Sequence, residues 1–280
     1  MRTLALALLS LVFSTTGAAA QAAEVALSIR SRGAVVAPVT IDGQGPFDFL
    51  LDTGCTHTTL SAELADRLAL PVVAKVRVST VAAAEVRLVV KLGRMAIGEA
   101  SVEGLMPSVV SRAQLRALEP GIDGLIGQDF LSRFDYTLDY RRKRLRWTAE
   151  PGDARDRLPL IRAGDRPLVR LPGGGRQGPA LMVPDSGTEG FVIFERRGRT
   201  AVTVDYANQV RGVSALAQRR IGRGALVREL RLGPLVLRDQ PAIVLERGDD
   251  GALEGDGLMP LHHFSSVSFN NTEAFMLVRK

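Results

Sequence analysis

Two aspartates occupy closely similar settings 133 residues apart. The first follows the apolar run Phe49-Leu50-Leu51 in Asp52-Thr53-Gly54, and the second follows Leu181-Met182-Val183-Pro184 in Asp185-Ser186-Gly187. A companion segment, Asp123-Gly124-Leu125-Ile126, recurs as Asp256-Gly257-Leu258-Met259 at the same 133-residue offset. A repeat that delivers one carboxylate per copy, each on a tight turn after an apolar strand, predicts two half-sites facing each other across a pseudo-twofold axis. Two carboxylates held close together cannot both ionise cheaply, so one keeps a proton. Such a pair can take a proton from water and give one to a carbonyl oxygen, which is what amide hydrolysis without a metal or a covalent intermediate requires. Asp52 and Asp185 are therefore the candidate catalytic pair.

Gly54 and Gly187 permit two backbones to approach where a Cβ would obstruct them. A single Asp-Ser-Gly would be an ordinary turn. Two of them, each followed by a matched Asp-Gly-apolar-apolar segment, point to duplication, with Asp123 and Asp256 as turn formers rather than catalysts. The pattern apolar-apolar-Asp-[Thr/Ser]-Gly followed by Leu125-Ile126-Gly127 resembles the pepsin and retropepsin clan of aspartic peptidases. The string from Asp123 to Tyr140 is similar to the bacterial retropepsin-like members. The resemblance runs from about Val36 onward and is weaker in the second half.

That resemblance implies an all-β, bilobal acid-protease fold, with two pseudo-twofold-related β-barrel lobes carrying short helices and no cofactor. It implies that the hydroxyls of Thr53 and Ser186 reach across to the opposite loop. Thr188 is expected to bond the Asp185 carboxylate, with Cys55 a poorer equivalent on the other side. Leu125, Ile126 and Gly127, with Leu258 and Met259, would support the two turns. Thr80, Val81, Ala82 and Ala83 would form the substrate-facing flap. The tyrosines are Tyr136, Tyr140 and Tyr206, and neither expected flap contains one, so the retropepsin-type flap is the nearer likeness.

The second half departs from the pattern. Pro260 stands where Gly127 has its equivalent, and Leu261-His262-His263-Phe264 does not keep Gln128-Asp129-Phe130. Proline fixes φ and lacks an N–H, so the loop under Asp185 must differ locally from the loop under Asp52. This keeps a second function class open, a non-catalytic peptide or cell-envelope ligand-binding protein on the same fold. Carboxylates within hydrogen-bond reach and open to a cleft would favour the enzyme.

Other chemistries lack their residues. Three histidines, two of them adjacent, and no His-Glu-x-x-His helix leave no basis for a metal site. There is no Gly-x-Ser-x-Gly elbow and no phosphate-binding Gly-x-x-x-x-Gly-Lys-[Ser/Thr] loop. The sole cysteine, Cys55, excludes an intramolecular disulfide. Its neighbour His57 does not make it a nucleophile, and a small buried side chain is the simpler reading.

The elements that must position the pair read as strands and tight turns. Ala34 to Ile41 and Phe47 to Leu51 flank Asp42-Gly43-Gln44-Gly45 as a hairpin feeding Asp52. Ser61 would cap a helix through Leu68. Val76–Val81 and Val86–Leu92 form the first flap hairpin. Helices are expected over Ser111–Leu118 and Gly127–Phe134, and strands over Tyr136–Tyr140 and Arg144–Thr148. In the second half, Leu168–Leu171 and Ala180–Val183 flank the Gly173-Gly174-Gly175 turn. Val210–Leu216 and Ala225–Leu230 flank a basic connection, Arg219-Arg220-Ile221-Gly222, in the flap position.

The 280 residues, 46% of them hydrophobic, suffice for two lobes: residues 24–150 and 167–280, joined by a Pro-, Gly- and charge-rich linker over 151–166. Residues 1–20 have the basic start, short apolar run and small-residue end of a secretory signal. The protein is therefore expected to be periplasmic or secreted, without a membrane anchor after cleavage. The net charge of +6 raises an acidic partner, but export argues against nucleic acid. The basic run Arg141-Arg142-Lys143-Arg144 reads as a solvated turn between strands. The expected partner is a peptide or protein substrate, and having both halves in one chain predicts a monomer. A further reading has the segment from Gln21 to about Arg32 covering the cleft until it is removed.

Overall fold

Asp42-Gly43 shows how local sequence sets this fold. Both residues have positive φ, 49° and 78°, and they turn strand Val35–Ile41 back into strand Gln44–Leu51. That is the two-residue hairpin geometry Asp-Gly favours, so Gln44 and Gly45 belong to the returning strand rather than to the connection. Val35, Ala37, Val39, Phe49 and Leu51 are fully buried on one face, and Val36 and Leu50 are covered on the other. The computed structural model describes residues 24–79, 84–172, 178–215, 218–247 and 255–280. The leader, the Thr80–Ala83 flap tip and the Gly173–Gly175 turn lie outside the described residues.

Strand Gly124–Ile126 runs parallel to Gln44–Leu51, with Leu125 opposite Leu50 and Ile126 opposite Leu51, and strand Thr59–Ser61 runs antiparallel to it. The second half repeats this. Strand Gly257–Pro260 runs parallel to Ala180–Asp185, with Leu258 opposite Val183, and Phe191–Glu195 runs antiparallel to it. The two companion aspartates lock these crossings through their backbones. Asp123 N donates to Asp48 O (2.7 Å) and Asp123 O accepts from Ser61 N (2.9 Å); Asp256 N donates to Leu181 O (2.6 Å) and Asp256 O accepts from Phe194 N (2.8 Å).

The fold is all-β and bilobal. Among the described residues the strands form a ten-stranded and a thirteen-stranded sheet, and the larger one is built from both halves of the chain. Strand Tyr136–Asp139 pairs antiparallel with Ser266–Asn270, Tyr136 lying opposite Phe269. Their rings stack with centroids 4.8 Å apart. The main apolar core is shared, running from Val35 and Phe49 through Tyr136 to Val169, Phe191 and Met276. Smaller clusters cover the outer face of each hairpin, one around Leu50, Leu115 and Leu125 and the other around Val183, Phe194 and Leu258.

Helices are few and short. Ser61 caps Ala62–Arg67 by accepting from Leu64 N (3.1 Å), and Ser111 with Gln114 forms a capping box at the start of Arg112–Leu118. The helix expected from Gly127 to Phe134 is confined to Gln128–Leu131. None of these is long and apolar enough to cross a membrane.

Several elements differ from expectation. The stretch 151–166 contains strand Leu158–Ala163, which pairs with both Phe275–Arg279 and Arg166–Leu171. Pro159 and Arg162 at its exposed positions hide its periodicity. The second-half hairpin is longer than expected, Val204–Ala215 against Gln218–Leu232, so Arg219 to Gly222 sit within a strand and not in the connection. Tyr206 therefore lies on this hairpin after all, its hydroxyl tied to Glu195 Oε1 at 2.8 Å. The described part of the N-terminal segment is built into the sheets. Glu24–Ala26 pairs with Arg144–Arg146 and Ser28–Ile29 pairs with Val35–Val36, burying Val25 and Leu27.

Candidate active site

Each parallel crossing ends in a turn, and the two turns meet. A Cβ placed on Gly54 would lie 2.5 Å from Cγ of Asp185, and one placed on Gly187 would lie 2.8 Å from Cγ of Asp52. Each glycine thus faces the carboxylate of the other half, at a distance only a hydrogen allows. Each carboxylate is also held by its own turn: Gly54 N donates to Asp52 Oδ1 (3.0 Å) and Gly187 N to Asp185 Oδ1 (2.8 Å).

Thr53 and Ser186 cross-brace the turns reciprocally. Thr53 N donates to Ser186 Oγ (3.0 Å) while Ser186 N donates to Thr53 Oγ1 (3.0 Å). Thr53 Oγ1 donates onward to Pro184 O and Ser186 Oγ to Leu51 O, each at 2.7 Å. All four bonds run between halves, and both side chains are buried. Buried hydroxyls with every partner supplied favour one geometry over its neighbours, because any displacement strands a polar group away from water.

Thr188 is placed differently from expectation. Its hydroxyl donates to Gly190 O (3.1 Å) rather than to Asp185, and Cys55 Sγ likewise donates to His57 O (3.2 Å). Each side chain thus bonds the carbonyl two residues ahead and stiffens its own loop. Burial and the Asp52 charge push the Cys55 thiol up to about 12, which leaves it a neutral packing group.

The supporting loops are asymmetric. Leu125, Ile126, Leu258 and Met259 are buried beneath the turns. Gly127 packs against the His57 backbone, and a Cβ there would lie 2.7 Å from His57 C. Gln128 Nε2 donates to Thr53 O (2.7 Å), and the Asp129 carboxylate accepts from Thr58 N (2.9 Å) and Thr58 Oγ1 (2.6 Å). In the second half Pro260 extends the strand to Asp185, and Leu261 cannot supply the amide that Gln128 does. Gln128 stood in the repeat pattern without a role. The register of Ile126 against Leu51 is what brings it to the turn.

Electrostatically the pair is strained in the way shared-proton chemistry needs. Burial raises both carboxyls above their ordinary range. Asp185 is held well above it, by burial first and by the Asp52 charge second; hydrogen bonds from Gly54 and Asp185 moderate the rise at Asp52. Both carboxyls thus favour the protonated form, and the titration belongs to the pair. Asp52 is partly open to solvent, while Asp185 is only 8% exposed. Arg166, a residue no sequence pattern marks, reaches from the second half with Nε donating to Gly54 O (3.2 Å).

His262 and His263 lie beside each other with ring centroids 4.5 Å apart, and among the described residues no cluster of metal-ligating side chains forms. The basic run is a turn between strands. Arg142 N donates to Asp139 Oδ1 (2.7 Å), and Arg141 and Arg142 line a small cavity with Ser265 and Ser266, separate from the paired carboxylates.

Residues 37–130 match a protein family described as aspartyl protease, a stretch containing Asp52-Thr53-Gly54 and the Asp123–Gly127 loop. Among solved structures, the chain is similar to a retropepsin-like aspartic protease from Rickettsia conorii. The identity is 17% and the TM-score 0.33, over 45% of this chain and 89% of that one. No curated protein matches the chain.

Proposed function

We propose that this protein, whose first half carries the aspartyl protease family match, is an exported aspartic endopeptidase that cleaves peptide bonds with Asp52 and Asp185. The observation that carries the reading is the cross-braced turn pair. Each carboxylate faces the other half's glycine, and the Thr53–Ser186 bonds hold both in place.

Asp52, as carboxylate, takes a proton from a water molecule, and the water oxygen attacks the scissile carbonyl carbon. Asp185 gives its proton to the carbonyl oxygen, so the tetrahedral diol forms without a free oxyanion. The proton now on Asp52 passes to the leaving nitrogen as the C–N bond breaks. Asp185 recovers a proton from a diol hydroxyl, and the pair returns to its starting state with both protons accounted for. The macroscopic titrations belong to the pair.

The leader pattern over residues 1–20 supports export to the periplasm or beyond, and both carboxylates in one chain support activity as a monomer. A mixed peptide library digested across acidic to neutral pH, with Asp52→Asn and Asp185→Asn in parallel, tests the reading. Cleavage lost in both variants is the expected result. Absence of cleavage by folded wild-type protein at every pH overturns it in favour of the peptide-binding alternative.

A further inference from the structure

Arg166 begins strand Arg166–Leu171 of the second half, yet its Nε hydrogen bond ends on the first half's carboxylate turn, at Gly54 O, 112 residues away. In the first half, the strand of the same role, Val35–Ile41, is preceded by Gly33 and Ala34, neither of which carries a charge. Among the described residues, the arrangement around the two aspartates is thus symmetric in its hydroxyls and glycines and asymmetric in this cation.

We propose that Arg166 is a positioning residue for the carboxylate pair: from the opposite half it pins the Gly54 carbonyl and holds a guanidinium beside both aspartates. Gly54 N is also the donor to Asp52 Oδ1, so the two peptide units of Gly54 are clamped from both sides, one by Asp52 and one by Arg166. A fixed cation in a partly buried site acts on both carboxyls more strongly than it would in water.

The other ionisable groups near the pair do not duplicate this. Cys55 on the same turn and Tyr140 at the end of strand Tyr136–Asp139 are both raised by burial and stay neutral. Asp129 and His57 stand one layer out, where Asp129 is tied to Thr58. His262 packs on Gly33, and the Arg32–Glu189 ion pair is exposed. Arg166 favours the ionised form of both carboxyls, opposing the burial that raises them. Its removal therefore moves both titrations to higher pH.

The inference rests on Asp52 and Asp185 being the working pair, and its test has a readout independent of cleavage. Carbon-13 NMR titration of the aspartate carboxyls, assigned with the Asn variants, is compared in wild-type protein, Arg166→Met and Arg166→Lys, with peptide cleavage recorded in parallel. In Arg166→Met both carboxyl titrations rise by about half a pH unit or more, and both limbs of the pH–rate profile move with them. Arg166→Lys keeps the charge and titrates near wild type, but its kcat falls several-fold with little change in KM, because the Nε bond to Gly54 is lost. Arg166→Gln serves as a second neutral variant should the methionine disturb folding. Superimposable titrations in folded wild-type and neutral variants overturn the inference. Wild-type protein that titrates as described but cleaves nothing counts against the peptidase reading alone.

Discussion

Thr137 and Ser268 are repeat equivalents that hydrogen-bond to each other, Oγ1 to Oγ at 2.9 Å, and are also cross-strand partners. The equivalence follows from their turns: Lys143 and Ala274 share positive φ values of 56° and 55°, and they lie 131 residues apart, as do Thr137 and Ser268. The pseudo-twofold axis passes between this pair, as it passes between Thr53 and Ser186. The offset has fallen from 133 to 131 because the second half has a shorter connection where the first half carries helix Gln128–Leu131. The loss of Gly127 and Gln128 equivalents in the second half is therefore local, and the strands on either side keep their symmetry.

Removing one arm of the cross-brace should destabilise the whole molecule. Thr53→Ala strands the Ser186 N–H and one acceptor position of Pro184 O in a buried site, at a cost of about 1–3 kcal/mol. Ser186→Ala should cost a similar amount, and the double variant less than the total of the two, since they share one network. Urea unfolding of the three variants measures this. Strict additivity would show that the bonds act independently.

Asp185 makes stability fall as pH rises. Its folded carboxyl is held above the ordinary value of 3.8, by burial first, so above that value the native state holds more protons than the unfolded chain. The stabilisation is present at lower pH and is lost as pH climbs through the folded value. Asp185→Asn removes the titration, so its Tm should exceed that of wild type at neutral pH and decline less between about pH 4 and 7. Parallel Tm–pH curves for the two proteins would contradict the assignment.

Gly54→Ala should cost activity far more than stability. The new methyl would meet Asp185 Cγ at 2.5 Å, and the carboxylate is the part that moves. A displacement on the order of 1 Å at the reacting groups costs about a hundredfold in rate. Gly187→Ala should act alike through Asp52, where the contact is 2.8 Å. Full cleavage rates in either variant would mean the two turns are further apart than described.

Deleting residues through Ile29 should weaken the protein, not activate it. Val25 and Leu27 are each only 7% exposed, and burying such side chains contributes about 1.5–3 kcal/mol apiece. Thermal melts and cleavage rates of the truncated chain decide between a structural strand and a removable cover. A gain in rate at unchanged Tm would restore the cover.

What the sequence by itself determined is local. The Asp-Gly turn at Asp42-Gly43, the serine caps at Ser61 and Ser111, and the apolar strands leading to Asp52 and Asp185 are all written within a few residues of where they act. The 133-residue repeat adds one long-range fact, that the two aspartates occupy equivalent places. Tertiary structure decided the remainder. Strand Leu158–Ala163 exists because two partner strands lie beside it, and its own Pro159 and Arg162 obscured it in the sequence. Thr188 and Cys55 each bond the carbonyl two residues ahead, a partner set by loop shape. Gln128 and Arg166 gained their contacts with the first turn from strand register and lobe approach. A hydrogen bond depends on where distant backbone comes to rest within a few tenths of an ångström, and residue type and spacing carry no such information.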